Sequence, residues 1–234
     1  MAFNYSPKIV TNGLVMYLDA ANNRSFVNGS SVWNDLSRTG VIGALTNGPT
    51  YNSANGGSIV FDNTDDFIST NYIPTIGTGN ITYSVWFKTS TSQTGGLIGV
   101  RAAVGAVQCV LVICNSAGSV GSNLYMSTYD GSIIRNGATT ETWVDNTWHN
   151  AVMVHTSTTD TLYVDGILRK INTSSAVNVN NTQPLLVGCN PNGNTYLGSW
   201  VFNGNISNAL VYNRALSESE VLQNYNTLKS RFGK

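Results

Sequence analysis

Short runs of alternating apolar and polar residues recur along the chain, and the clearest is Ile81-Thr82-Tyr83-Ser84-Val85-Trp86-Phe87-Lys88. A period of two marks a strand with one buried face, so Ile81, Tyr83, Val85 and Phe87 are expected to point into the core. Further strands are read at 14–18, 58–61, 97–100, 107–114, 124–128, 148–155, 162–164, 185–187 and 206–212. Asn-Gly pairs begin at Asn12, Asn28, Asn47, Asn55, Asn136, Asn192 and Asn203. Both residues tolerate positive φ, so each pair reads as a turn, and Asp130-Gly131 and Asp165-Gly166 read as hairpin tips. Many short strands with almost no helix between them favour stacked antiparallel sheets over βαβ units. The expected fold class is all-β, a two-sheet antiparallel jelly-roll sandwich with a short C-terminal α-helix.

The helix is expected over 217–232. Ser217 and Glu220 form a capping box, and Leu216 with Val221 fits a hydrophobic staple around it. Val221, Leu222, Tyr225, Leu228 and Phe232 then recur at helical spacing, Lys229 and Arg231 suit the negative end of the dipole, and Gly233 can close the helix. Such a stripe should pack on the sandwich as a terminal latch. Residues 1–12 are read as a lead or tether, with Phe3 and Tyr5 as candidate partner-docking anchors ahead of Pro7, and 13–234 as one domain.

Composition narrows the function. Charged residues make up 10% of the 234 positions, against about 25% in an average protein, and the formal net charge is zero. No Lys/Arg cluster offers phosphate neutralisation, which argues against a nucleic-acid partner. No apolar run reaches the roughly 20 residues needed to span a bilayer, and the first residues lack the apolar core of a secretory signal, so folding in a cytoplasm is expected. Cys109, Cys114 and Cys189 fit neither a disulfide framework nor a zinc spacing and read as buried thiols. Cys109 and Cys114 have odd separation in one strand and must face opposite ways.

Catalytic sets are thin. A sandwich glycosidase needs two carboxylates facing one groove, yet Glu141, Glu218 and Glu220 are the only glutamates, and the last two serve the helix start. No Gly-x-Ser-x-Gly elbow occurs, and His149 and His155 lie on one face of a strand, where a hydrogen-bonded sheet histidine is the plain reading. The acidic run Asp62-Asn63-Thr64-Asp65-Asp66 is either an Asx-rich turn or a cluster of hard oxygen ligands suited to Ca²⁺, with Asp62, Asp65 and Asp66 as ligands; it lacks the EF-hand glycine and distal glutamate. Trp33, Trp143, Tyr196 and Trp200 lie among turn residues, where they serve either as lids over the core or as stacking platforms for glycans.

These residues carry a resemblance. Gly13-Leu14-Val15-Met16-Tyr17-Leu18-Asp19-Ala20, Trp33-Asn34-Asp35-Leu36-Ser37 and Leu45-Thr46-Asn47-Gly48-Pro49-Thr50 resemble the opening of laminin-G-like domains of the concanavalin A-like lectin/glucanase superfamily. Phe61-Asp62-Asn63-Thr64-Asp65-Asp66-Phe67-Ile68, Trp148-His149, Leu162-Tyr163-Val164-Asp165-Gly166 and Val211-Tyr212-Asn213-Arg214-Ala215-Leu216-Ser217 resemble its later segments. The resemblance implies a jelly-roll sandwich that binds glycans or proteins, often with calcium. Asn205-Ile206-Ser207-Asn208 stands where many relatives carry Asp-Glu after the isoleucine, and the catalytic motif of the glucanase branch is missing. In style the chain is similar to lectin-like structural proteins of tailed bacteriophages. That implies a non-catalytic virion surface protein, a capsid decoration or fibre component, binding other virion subunits and bacterial surface glycans. The alternatives are a cellular carbohydrate-binding module and, third, a glycoside hydrolase acting through Glu141.

Overall fold

A computed structural model describes residues 8–103, 107–114 and 119–234, with the backbone alone for Leu197 and Ser199. In chain order the strands are β1 (Leu14–Asp19), β2 (Val32–Asn34), β3 (Ile42–Thr46), β4 (Thr50–Asn52), β5 (Ser58–Asp62), β6 (Phe67–Thr70), β7 (Ile81–Lys88), β8 (Gly95–Arg101) and β9 (Gln108–Cys114). They continue with β10 (Asn123–Tyr129), β11 (Ile134–Ala138), β12 (Trp148–His155), β13 (Thr159–Val164), β14 (Ile167–Thr173), β15 (Leu186–Val187), β16 (Cys189–Asn192), β17 (Thr195–Val201) and β18 (Asn203–Tyr212). Helix α1 (Glu218–Leu228) follows, prolonged by a 3-10 turn at Lys229–Phe232. One antiparallel sheet runs β14-β13-β12-β7-β18-β5-β4 with β1 also on β18; the other runs β11-β10-β9-β8-β15-β6-β3-β2. We call them the helix-side and hairpin-side sheets, after what covers each. The expected two-sheet sandwich is the fold observed. Among the described residues no helix is long and apolar enough to cross a membrane.

Alternation does the sorting. On β7, Ile81, Tyr83, Val85 and Phe87 enter the interior shared by the two sheets, as expected, where they meet Leu97, Leu111, Ile113 and Met126 of the hairpin-side sheet. Cys109 joins that interior while Cys114 faces the other way, and all three cysteines are free and buried. Two of the seven Asn-Gly pairs are not turns. Asn136-Gly137 lies inside β11 and Asn203-Gly204 inside β18. Each glycine is there for a close approach: a Cβ on Gly137 would come 2.3 Å from the Asn172 amide, and one on Gly204 2.3 Å from the Lys88 carbonyl.

Each sheet is apolar on part of its outer face as well, so each carries a cover. On the helix side, Trp86 and Trp148 turn outward and Phe232 stacks on Trp86 at 4.1 Å between centroids, with Tyr225 against the same indole at 5.6 Å. Val221 and Leu216 pack with Leu210, Tyr212 and Val154. The capping box forms as read, and Gly233 closes the end in the left-handed region at φ 72°. Leu222, expected in the apolar stripe, is instead 44% exposed, at the side of the helix that borders the Gly166 turn. Arg231 fixes the latch, pairing with Asp19 at 2.7 Å and donating to the Asn55 and Gly57 carbonyls. Ile9 and Val10, read as part of the lead, belong to this cover: Val10 N–H donates to Asn224 Oδ1 and its carbonyl accepts from Tyr212.

One polar cluster crosses the interior. Asp160 of β13 faces Arg135 of β11, with Nε at 2.8 Å from Oδ2 and Nη2 donating to Oδ1 at 3.0 Å. His155 Nδ1 shares Oδ1 at 2.6 Å and Thr128 donates to Oδ2. Burial alone would raise the Asp160 pKa, but these hydrogen bonds outweigh it and hold the carboxyl below its usual range. His155 is thus a hydrogen-bonded sheet residue, held through Nδ1, with its buried Nε2 left without a partner. A buried pair broken on one side leaves an uncompensated charge, so Arg135→Leu is expected to cost about 3–5 kcal/mol in urea denaturation, while adding Asp160→Leu should recover most of it.

Candidate functional site

The hairpin-side cover is β16-β17, joined by a turn with Asn192 and Gly193 (φ 69°) as expected for that Asn-Gly pair. It lies directly on β8, whose outer face is Gly96 and Gly99, then Arg101. A Cβ on Gly96 would come 1.9 Å from the Cys189 carbonyl carbon, so only glycine lets the hairpin backbone rest there. Cys189 and Val201 then pack with Phe67 and Leu186 on one flank. Tyr196 sets its ring edge against Phe67 at 5.8 Å on that flank.

Trp200, on the same hairpin, reaches the other flank. It and Tyr125 of β10, both half-buried, pack over Val110, Val112 and Cys114. Beside them the outward rows of β9 to β11 carry Gln108, Ser127 and Asn136, with Gln108 Nε2 donating to Ser127 Oγ at 2.7 Å. No charged side chain stands in these rows. The result is a flat aromatic surface rimmed by neutral donors and acceptors. Rings of this kind stack on the apolar face of a pyranose while amides and hydroxyls meet its hydroxyl groups.

The structure therefore separates the four aromatic candidates. Tyr196 and Trp200 share the hairpin. Trp33 is wholly buried in the interior against Phe26, so it is a core residue with no face for a ligand. Trp143 is 7% exposed; its indole N–H donates to Thr139 Oγ1, the Arg169 guanidinium lies 5.3 Å over its ring, and His149 packs edge-on at 5.0 Å. It closes the end of the core as a lid. Phe3 and Tyr5 lie outside the described residues. Tyr125 and Gln108 escaped the sequence reading because their strand alternates like any other, and nothing local shows which face lies open.

Asp62 ends β5, and Asp65 and Asp66 immediately precede β6, where the chain crosses between the sheets. Asn63 at φ 67° makes the corner, Thr64 N–H donates to Asp62 Oδ1, and Asp62 N–H donates to Asp66 Oδ2. One oxygen from each carboxylate falls within 4.8 Å of the others. Oxygens sharing one Ca²⁺ at ~2.4 Å lie at most ~4.8 Å apart, so the span fits that ion. Burial, then the Asp62 and Asp65 charges, push the Asp66 carboxyl up to about 6. Alongside runs a groove of about 350 Å³, lined in part by Phe26, Ser30, Gly48 and Tyr51, and Gly48 borders Asp66.

Glu141 bonds Arg169 at 2.9 Å, and its own backbone N–H, Thr140 and that arginine hold its carboxyl below the usual range. A general acid requires the opposite shift. His149 is held between Asp165 at 2.8 Å and Asp145 at 3.1 Å at the end of β12.

A family described as the concanavalin A-like lectin/glucanases superfamily matches residues 62–222. A search of curated protein sequences returns no match. Among solved structures, domain 4 of AbnA, a GH43 extracellular arabinanase from Geobacillus stearothermophilus, in complex with arabinotriose, is similar at TM-score 0.69 and 17% identity, over 91% of this chain and 98% of that one. The binding domain of Paraclostridial Mosquitocidal Protein 1 is similar at TM-score 0.64 and 15% identity, over 93% and 52%. The botulinum neurotoxin serotype D ligand binding domain in complex with N-acetylneuraminic acid gives 0.61 and 14%, over 92% and 51%. The chain thus spans about half the length of those toxin domains, and at these identities the likeness is one of fold.

The raised Asp66 pKa fixes a sign. A carboxyl that titrates near 6 when folded and near 3.8 when unfolded favours the fold below about pH 4 and loses that contribution as the pH rises through 6. In chelator at pH 7, Asp66→Asn is expected to melt above the parent chain, with the two curves converging below pH 4 in a calorimetric pH series.

Proposed function

The chain belongs to the concanavalin A-like lectin/glucanases superfamily, and from that premise we propose that it is a non-catalytic glycan-binding protein whose ligand rests on the outer face of the hairpin-side sheet. The observation that carries this reading is that Trp200 and Tyr125 both pack over Val110, Val112 and Cys114 beside a row of neutral polar residues. The uncharged rows of β9 to β11, with Arg101 of β8 beside Gln108 as the one charged neighbour across β8–β9, suit a neutral saccharide. Support by fold comes from the arabinanase domain, whose structure holds arabinotriose. The depressed Glu141 carboxyl, unsuited to proton donation, supports binding without hydrolysis.

Calcium is the second element of the proposal. Asp62, Asp65 and Asp66 would hold it beside the groove under Gly48 and Tyr51, and the ion would supply positive charge where three carboxylates now repel one another. The place of action is a third: the surface of a tailed-phage particle, docked to other virion subunits. Its support is the overall style of the chain, which is similar to that of lectin-like structural proteins of such phages.

Three outcomes test these readings. On a glycan array followed by titration, Trp200→Ala and Tyr125→Ala are each expected to weaken binding of the best neutral oligosaccharide by at least ~tenfold; unchanged affinity would remove the site. Millimolar CaCl₂ should raise Tm at pH 7, with a smaller rise below pH 6 as Asp66 takes up a proton, and Asp62→Asn with Asp65→Asn should abolish the rise. Proteomics of purified phage particles is expected to find the chain, and its absence from them would discard the virion placement.

A further inference from the structure

A separate cleft lies at β1 of the helix-side sheet. It measures about 390 Å³ and is lined in part by Ile9, Leu14, Tyr17, Arg24, Leu36 and Arg38. That size falls within the roughly 300–1,000 Å³ of small-molecule sites. A second hollow of about 360 Å³ shares Thr11, Leu14, Leu36 and Arg38 with it.

Arg24 and Arg38 are two of the cations without a carboxylate partner, and both line this one cleft. Arg135, Arg169, Arg214, Arg231 and Lys234 pair with carboxylates. Among the described residues the Arg24 and Arg38 guanidinia have neither a hydrogen bond nor an ion pair. Asp35 also lines the cleft and offsets one of the two positive charges, but it makes no ion pair with either arginine; its Oδ1 accepts from the Tyr17 and Ser37 N–H groups at 2.7 and 3.0 Å, and Oδ2 from the Ser37 hydroxyl and the Thr39 N–H. Residues 1–7 contain no carboxylate either.

What Asp35 does is build the loop. Its acceptors, with Leu36 N–H on the Tyr17 carbonyl and Thr39 Oγ1 on that of Val15, clamp residues 35–39 against β1. Arg38 is thereby held at φ 76°, a left-handed conformation that an arginine seldom adopts. Strain of this kind persists where surrounding bonds over-determine it, and it marks places where a side chain is presented.

We propose that this cleft binds a carboxylate-bearing saccharide, with Arg24 and Arg38 on the carboxylate and Leu14 and Leu36 against the ring. Two unpaired guanidinia match a planar anion, and the apolar wall distinguishes a sugar acid from a bare inorganic ion. The site shares no residue with the hairpin-side surface and does not rest on that reading.

The test is titration calorimetry of the full chain with trigalacturonate, its methyl ester and, separately, N-acetylneuraminate and glucuronate. At least one acid is expected to bind, and the ester of a binding acid to bind no better than background. Arg24→Gln and Arg38→Asn, the latter chosen because asparagine tolerates positive φ, should each weaken the acid roughly tenfold and leave Tm unchanged. Trp200→Ala should leave the acid untouched, while the arginine variants leave neutral glycans untouched. Binding by none of the acids, equal affinity for acid and ester, retention in the double arginine variant, or displacement by equimolar sulfate would each overturn the proposal.

Discussion

Two sheets of eight strands have four faces, and stacking them buries only two. Because side chains alternate along a strand, every residue opposite a core position must meet water or a cover. In this chain β9 and β12 carry apolar residues on both faces and β7 turns Trp86 outward, so burial against the partner sheet alone would leave Trp86, Val110, Val112, Trp148 and Val152 exposed. The hydrophobic effect therefore demands two further elements. The C-terminal helix supplies one and the β16-β17 hairpin the other.

The covers differ in what they leave open. The helix fits its strip of sheet through stacked rings and a clamped Arg231, and little of that surface remains accessible. The hairpin is narrower. It lies along the glycines of β8 and stops short of β10, so Trp200 and Tyr125 end at its margin, half in the cover and half in solvent. The surface proposed to bind sugars thus arises as the edge of a structural device. The cleft at β1 has a similar origin, since the Asp35 loop closes one corner of the sandwich and in doing so displays Arg38.

Much of the frame was legible from pattern. Strands 81–88 and 148–155 fall where alternation placed them, and the helix start follows from Ser217 and Glu220, because both signals are local. The strands that went unread are β2, β3, β4, β6, β11, β14, β16 and β17. Several are three or four residues long, too short for a period to show, and β14 is an edge strand with Ile167, Leu168 and Ile171 turned to solvent. Asn136-Gly137 and Asn203-Gly204 misled for a related reason: a glycine needed for close contact between distant strands looks, in sequence, like one needed for a turn.

By itself the sequence determined the class of the fold, the capped terminal helix, the neutrality of the surface and the acidic run at 62–66, since each depends on neighbours along the chain. It did not determine which aromatic rings face water. Trp33, Trp143, Tyr196 and Trp200 stand in equally polar surroundings in the chain, yet two sink into the core and two ride on the hairpin. Only the packing of one sheet against another, and of each cover against its sheet, decides that. Exposure is a property of distant surfaces brought together, and no local pattern encodes it.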